Sequence, residues 1–383
     1  MANTLTNLLP TLYDALDVVS RELVGFIPAV TRNSSAERVA KDETVTYPIA
    51  PAATVADITP GLYAPDTGNQ TIGTATLTIS KSRYAPVRWN GEEMKGVGNT
   101  GQLQNVMRDQ FAQAMRALVN EVEADLAALY VNASRAYGTG GATPFGTAGN
   151  LTDFASIQQI LDANGCPSSD RHLVLGSAAI ANLRGLQSVL FKVNEAGTSD
   201  LLRAGIIGAV EGLNIHNSAQ VVTPAIGTAA SYIINGTTFA AGTLTLGVDT
   251  GTGTILAGDV VVVGSTDTNK YVVGTGTGAA GNIILNKPGL LKAVADNATG
   301  FALSTAGPRN MAFHRSALQL VTRAPAMPEG GDTADDVTEV VDPLSGLAFQ
   351  VAMYRQYRQV KFEIGLAWGT ACVKSEHLAI LLG

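Results

Sequence analysis

The sequence predicts an α+β protein carrying a small, inserted all-β unit, and three observations predict it. The stretch from Gln102 to Asn132 contains neither proline nor glycine and repeats apolar residues at helical spacing. Extended, alternating patterns lie on both sides of it, from Thr44 to Lys95 and again from Val360 to Trp368. Between Thr223 and Gly307 the composition changes abruptly, to 15 Gly and 15 Thr with only seven charged residues.

Taken in order, residues 1–48 read as an arm. A short helical pattern runs from Leu8 to Val24, with Leu9, Leu12, Leu16, Val19 and Leu23 on one face, and a polar tail follows through Ser34-Ser35-Ala36. Val45, Tyr47 and Ile49 then alternate with polar residues, and Thr71 to Ser80 reads Thr-Ile-Gly-Thr-Ala-Thr-Leu-Thr-Ile-Ser. Pro48, Pro51, Pro60 and Pro65, with Gly61 and Gly68, exclude a helix between them. Residues 49–98 are therefore expected to project as a long two-stranded hairpin.

In residues 99–150 the dominant element is the helix Gln102–Asn132, striped by Leu103, Met107, Phe111, Met115, Leu118, Val122, Leu126 and Leu129. At its usual rise it would run roughly 45 Å and needs a sheet or neighbouring subunits alongside. Residues 151–222 are mixed. Asp153, Phe154, Ile157, Ile160 and Leu161 mark a helix, His172–Gly176 a strand, and Ser177 opens a second helix, where its hydroxyl suits the N-cap. Residues 223–308 hold short β-rich runs, at Tyr232–Ile234, Leu244–Gly247, Val260–Gly264, Tyr271–Gly274 and Ile283–Leu285, separated by turn residues as in a small barrel. In residues 309–383 the mixed pattern resumes with Asn310–His314, a short helix or strand at Ala317–Thr322 and an acidic loop at Glu329–Asp342. The alternation of Val360, Phe362, Ile364, Leu366 and Trp368 predicts a strand with one buried face, partnered by Leu347–Tyr354.

Composition limits the function. A chain of 383 residues exceeds a usual single domain of about 100 to 200, so two or three cores are expected. A net charge of −7 excludes bulk coating of nucleic acid, which needs clustered Lys and Arg. With only 15% charged residues and 41 glycines, much of the surface is expected to be covered by neighbours. Cys166 and Cys372 are too few for a disulfide framework and lie in no metal spacing, so reduced thiols are expected. The first residues lack a signal-peptide pattern, and no window reaches the roughly 18 apolar residues of a membrane span, so a chain made and kept in a cytoplasm is expected.

No GxSxG, HExxH, Walker A or DxDxDG pattern is present. Gly276, Gly278 and Gly281 match GxGxxG, but a strand-like Asn-Ile-Ile-Leu follows where a phosphate-binding helix should begin, so a turn is expected. His172, His216, His314 and His377 are scattered and read as structural rather than metal-binding. Glu92 and Glu93 are adjacent and point apart, which suits a solvated pair better than an acid and base. Arg355 and Arg358 beside Tyr354 and Tyr357 could form a single-strand-binding surface, but salt bridges and aromatic packing on an exposed strand face are preferred. Asp332, Asp335, Asp336 and Glu339 lack the fixed spacing of calcium ligands. No catalytic, cofactor-binding or metal residue is expected.

The order of arm, interrupted hairpin, very long helix, mixed domain, β insertion and return resembles the tailed-bacteriophage major capsid fold, the Hong Kong 97-type, in its branch with an insertion domain. Three local sequences carry the likeness: Leu5-Thr-Asn-Leu-Leu-Pro-Thr-Leu-Tyr-Asp-Ala-Leu16, Asn310-Met-Ala-Phe-His-Arg-Ser-Ala317, and the strand Tyr354–Leu382 with Trp368-Gly-Thr-Ala-Cys-Val373. The resemblance implies an α+β capsid subunit in which residues 49–98 form the extended loop, Gln102–Asn132 the spine helix, and residues 151–222 with much of 309–383 the axial domain. It implies self-association as hexamers and pentamers into an icosahedral procapsid and capsid in the bacterial host, around double-stranded DNA held by non-specific contact. A scaffolding protein and a portal at one vertex are the partners it implies, with no membrane and no cofactor, and it leaves open whether a decoration protein binds. The lysine and asparagine crosslink of one branch finds no matching positions, so a non-covalent shell is expected. A tail-tube or adhesin subunit, or an enzyme with a β appendage, are the alternatives.

Overall fold

The computed structural model describes residues 24–49, 53, 55–61, 68–98, 103–187, 207–236, 238–265, 267–341 and 346–383. The helical pattern at Leu8–Val24 lies outside these, apart from Val24 itself.

Along the described chain, β1 (Thr31–Val39), β2 (Thr44–Ile49), β3 (Gly73–Thr78) and β4 (Lys81–Asn90) precede a short helix α1 (Gly91–Gly98) and the long helix α2 (Leu103–Ala127). A mixed region follows, with β5 (Arg135–Tyr137), α3 (Thr152–Ala163), β6 (Arg171–Leu175), α4 (Ser177–Leu186), β7 (Ala209–Val210) and β8 (Leu213–Asn217). Short strands come next: β9 (Ile233–Ile234), β10 (Thr245–Asp249), β11 (Val260–Val262), β12 (Lys270–Thr275), β13 (Gly281–Leu285) and β14 (Ala302–Leu303). The last elements are β15 (Arg309–His314), β16 (Leu318–Pro325), β17 (Asp336–Val341), β18 (Ala348–Gln356), β19 (Gln359–Cys372) and β20 (Leu378–Leu382).

The long strand β19 organises the first sheet, pairing antiparallel with β4, β16 and β18, while β17 extends β18 and β1 lies parallel to β16. Its alternation buries Phe362, Ile364, Leu366 and Trp368, as the sequence predicts. The apolar stripe of α2 covers that face: Phe111, Met115, Leu118, Val122 and Leu126 are buried, and Phe111 meets Phe362 edge-on with centroids 5.3 Å apart. Helical geometry ends earlier than expected, since Ala128–Asn132 tightens into a 3-10 turn. On the far side of the sheet, Val39, Leu77, Ile79, Val321 and Ala367 form a smaller cluster.

Glu123 sits within the buried stripe of α2. Its carboxylate accepts hydrogen bonds from the Phe26 amide at 3.0 Å, the Ile27 amide at 2.8 Å and the Ser218 hydroxyl at 3.0 Å. It thereby satisfies donors of the turn that begins at Phe26, which would otherwise be buried without partners.

The second sheet runs β8-β6-β15-β20-β5, with β6 parallel to β8 and β20 parallel to β5. Alternation again divides its faces. Val174, Met311, Phe313, Leu378 and Ile380 join the long-helix core, while Leu173, Leu175, Ala312, Ala379 and Leu381 face Phe154, Ile157, Leu161, Ile180 and Leu183 of α3 and α4. The expected cap at Ser177 is corrected: Gly176 occupies the N-cap without a side-chain bond, and its amide donates to Asn310 Oδ1 at 2.8 Å.

Strands β9–β14 enclose their own cluster, which includes Tyr232, Ile234, Leu246, Val248, Val261, Tyr271, Val273 and Ile283. Bonds between Ile234 and the Asn297–Ala298 backbone curl this unit on itself. The Arg309 amide donates to the Val222 carbonyl at 2.9 Å, so the chain leaves and re-enters at one point. The expectation of a self-contained barrel is corrected in one respect: β12 pairs with β5, which makes the curled strands continuous with the second sheet.

Two further differences concern the hairpin and the acidic run. The hairpin is β2 paired with β3, from Thr44 opposite Thr78 to Ile49 opposite Gly73. Lys81–Asn90, expected within it, instead joins the first sheet as β4, because Val87 and Trp89 are buried there and Trp89 Nε1 donates to Gln110 at 2.7 Å. Within the acidic run, Asp336–Val341 is a strand rather than loop, paired to β18.

Candidate assembly surface

Among the described residues, β2 and β3 pair only with each other, and an isolated hairpin is marginal in water. Its base is fixed by Leu77 and Ile79, both buried against Val321 and Ala367. Beyond the base the chain is exposed, with Val55 at 100%, Ile58 at 97% and Ile72 at 66%. Three large apolar side chains exposed on the segment that joins β2 to β3 suit burial by another molecule.

A second projection is the turn between β18 and β19, where Tyr357 is 88% exposed and Arg358 has φ 57°. Its backbone is tied down, because the Gly91 amide donates to the Arg358 carbonyl at 3.1 Å. Trp89, Met94 and Val360 wall an adjoining groove of about 690 Å³ bordered by Arg355, Arg358 and Glu92. Asp335 lies 3.7 Å from Arg355 Nε, Tyr354 Oη donates to Asp332, and Lys361 lies 5.1 Å over the Tyr84 ring. Of the side chains singled out in the sequence, Tyr354 and Arg355 are thus engaged with acids of their own chain, and Arg358 lies 5.7 Å over the exposed Tyr357 ring.

The remaining candidates separate. Gly276 and Gly278 occupy the β12–β13 turn and Gly281 opens β13, and a Cβ on Gly276 would stand 1.9 Å from the Ile255 carbonyl oxygen, so close backbone approach requires the glycine. Glu93 belongs to a capping box, its amide donating to Asn90 Oδ1 at 2.8 Å while the Asn90 amide donates to Glu93 Oε2 at 3.0 Å. The Asn-x-x-Glu spacing of this box stands in the sequence, where Glu92 and Glu93 present themselves only as an acidic pair. Cys166 and Cys372 are free, and burial pushes the Cys372 thiol up to about 12, so it stays protonated. Asp332 and Asp335 serve Tyr354 and Arg355, while Asp336 and Glu339 lie on β17.

The histidines do not remain scattered. His172 Nδ1 stands 2.9 Å from His216 Nε2, His172 Nε2 stands 2.9 Å from Asp170 Oδ1, and the rings of His314 and His377 lie 6.2 Å apart. Nothing in their sequence spacing could have shown this, since it depends on the register of adjacent strands. Among the described residues, no group of three or more His, Cys, Asp or Glu is placed to hold a metal ion, and no helix is long and apolar enough to cross a membrane.

The sequence matches no protein-family model and no curated protein. Among solved structures, the capsid of the cyanophage P-SCSP1u is similar at 12% identity and a TM-score of 0.47, over 92% of this chain and 86% of that one. A virus-like particle from Pyrococcus furiosus is similar at 9% identity and 0.46, over 98% and 100%. The mature capsid of bacteriophage PhiM1 is similar at 12% identity and 0.45, over 94% and 86%.

Proposed function

We propose that this chain is a shell-building subunit, the major capsid protein of a tailed phage, which acts by self-association and carries no catalytic site. Copies assemble as hexamers and pentamers, on a scaffolding protein and with a portal at one vertex, into a closed container for double-stranded DNA. The observation that carries this reading is the projecting β2–β3 hairpin, anchored at Leu77 and Ile79 and fully exposed at Val55 and Ile58. A second copy is the simplest surface to cover it, and obligate assemblies bury thousands of Å² per subunit in this way. Many weak contacts of this kind then combine, because closure makes each successive contact intramolecular.

Co-expression with the scaffolding protein, followed by sedimentation and electron microscopy, tests the reading. The expected product is megadalton spherical particles; rings or tubes would overturn it. The double variant Val55→Asp, Ile58→Asp is expected to abolish particles while leaving the subunit's thermal midpoint within about 2 °C of the parent, since surface substitutions typically cost under about 0.5 kcal/mol.

A further inference from the structure

The strands β6, β15 and β20 bring His172, His314 and His377 to one end of the second sheet, and His216, two residues further along on β8, meets the His172 ring from the side. Register accounts for it. His172 lies at the start of β6, His314 stands opposite Arg171 at the end of β15, and His377 precedes Leu378, which stands opposite Phe313. His216 lies on β8 opposite Val174 and meets the His172 ring.

The direction of the hydrogen bonds is set from outside. Arg315 Nε donates to Asp170 Oδ2 at 2.8 Å, and the other carboxylate oxygen accepts from His172 Nε2 at 2.9 Å. His172 Nδ1 is left with a lone pair, which accepts the His216 Nε2 proton at 2.9 Å. One added proton can be shared between the rings. A second makes both facing nitrogens donors and sets two cations together, beside an Arg315 guanidinium whose Nη2 lies 3.2 Å from His172 Nε2, the nitrogen that Asp170 holds. The other charges around the cluster are Arg171, Lys374, Asp162 and Glu376. Together with Arg315 and Asp170 they make three cations and three anions, and within the pair only Asp170, bonded to His172 Nε2, favours a charged ring while none favours one at His216.

We propose that this end of the sheet is an acid-sensitive joint: double protonation of the His172–His216 pair releases β8, with β7 paired to it, from β6, while β6, β15 and β20 stay together. Burial lowers all four imidazoles and takes His216 down to about 4, with His172 and Arg315 adding to the effect. Each folded value lies below the unfolded one, near 6.5. The stability held by neutral rings is therefore complete above about pH 6.5 and is lost as pH falls toward about 4. The inference stands on the sheet alone and does not depend on shell assembly.

Hydrogen exchange read by mass spectrometry on the full chain tests it. After correction for intrinsic rates, protection of the β8 amides is expected to fall about tenfold relative to β15 and β20 between about pH 6.5 and 4.5, and to recover at neutral pH. His216→Gln is expected to remove that step, and an unchanged step in this variant would overturn the joint. Exchange at the imidazole C2 position gives the titration midpoint of each histidine in the unaltered chain and decides the matter if the variant fails to fold. A His216 midpoint at or above the ordinary value of about 6.5 would sink the proposal.

Discussion

Glu123 is 1% exposed on a helix face otherwise built of Phe111, Met115, Val122 and Leu126. Its burial raises the carboxyl above its ordinary range, while the Ile27, Phe26 and Gly25 amides and the Ser218 hydroxyl oppose that shift. Removing the carboxylate would leave the Phe26 and Ile27 amides and the Ser218 hydroxyl without an acceptor. Glu123→Ala is expected to cost on the order of 3 kcal/mol in urea denaturation, and Glu123→Gln less, because its carbonyl oxygen still accepts. The pH dependence has a definite sign. A carboxyl raised by folding contributes most below its unfolded value and loses that contribution as pH rises through the folded one, so Glu123→Gln flattens the slope. Residues of this kind were not legible in the sequence. Periodicity marks Val122 and Leu126 as buried but is silent on an acid between them whose partners lie 95 to 97 positions away. The histidine pair was hidden for the same reason, whereas the Gly276 turn was readable because the following Asn-Ile-Ile-Leu forbids a helix.

Elements with a strong period were legible and those held by pairing were not. The stripe of α2 and the alternation of β19 each declare a buried face, though that the two faces meet each other is not legible in either pattern. The polar tail expected through Ser34-Ser35-Ala36 instead lies within the strand β1. Arg32, Asn33, Ser34 and Arg38 have little intrinsic strand preference, but β1 gains a parallel ladder to β16 along one edge, and Arg38 Nη1 donates to Gln350 at 2.8 Å. Tertiary context overrode propensity there. The helix itself gives a direct test. Met115 is fully buried against the first sheet, so Met115→Asp places a carboxylate in an apolar site at a cost of several kcal/mol. Loss of soluble protein, or a collapse of the thermal midpoint, is the expected result; a variant as stable as the parent would show that α2 does not bury this face.

At the scale of the whole molecule, the curled β9–β14 unit differs from an appended domain in what it supplies to the rest. The carbonyls that follow the long helix look to it for donors. Asn286 Nδ2 bonds the carbonyls of Val131 and Ala133 at 2.7 and 2.8 Å, the Val272 amide that of Ser134 at 3.4 Å, Lys270 Nζ that of Gly138, and Thr305 Oγ1 that of Gly140. Gly258 rests so closely on Tyr130 that a Cβ would stand 2.6 Å from the ring. The chain crosses into the unit at Val222 and out at Arg309, which are hydrogen-bonded, so residues 223–308 can be replaced by a two-residue glycine link without straining the ends. Were the unit merely attached, this deletion would leave the remaining core intact. The pairing of β12 with β5 leads to the opposite expectation: an open edge at β5, orphaned carbonyls from Val131 to Gly140 and an uncovered Tyr130. The deleted chain should therefore aggregate or unfold at a clearly lower urea concentration than the parent, whatever its capacity to assemble. Equal midpoints for the two chains would mean that the shared ladder contributes nothing, and that the unit is held by its own core alone.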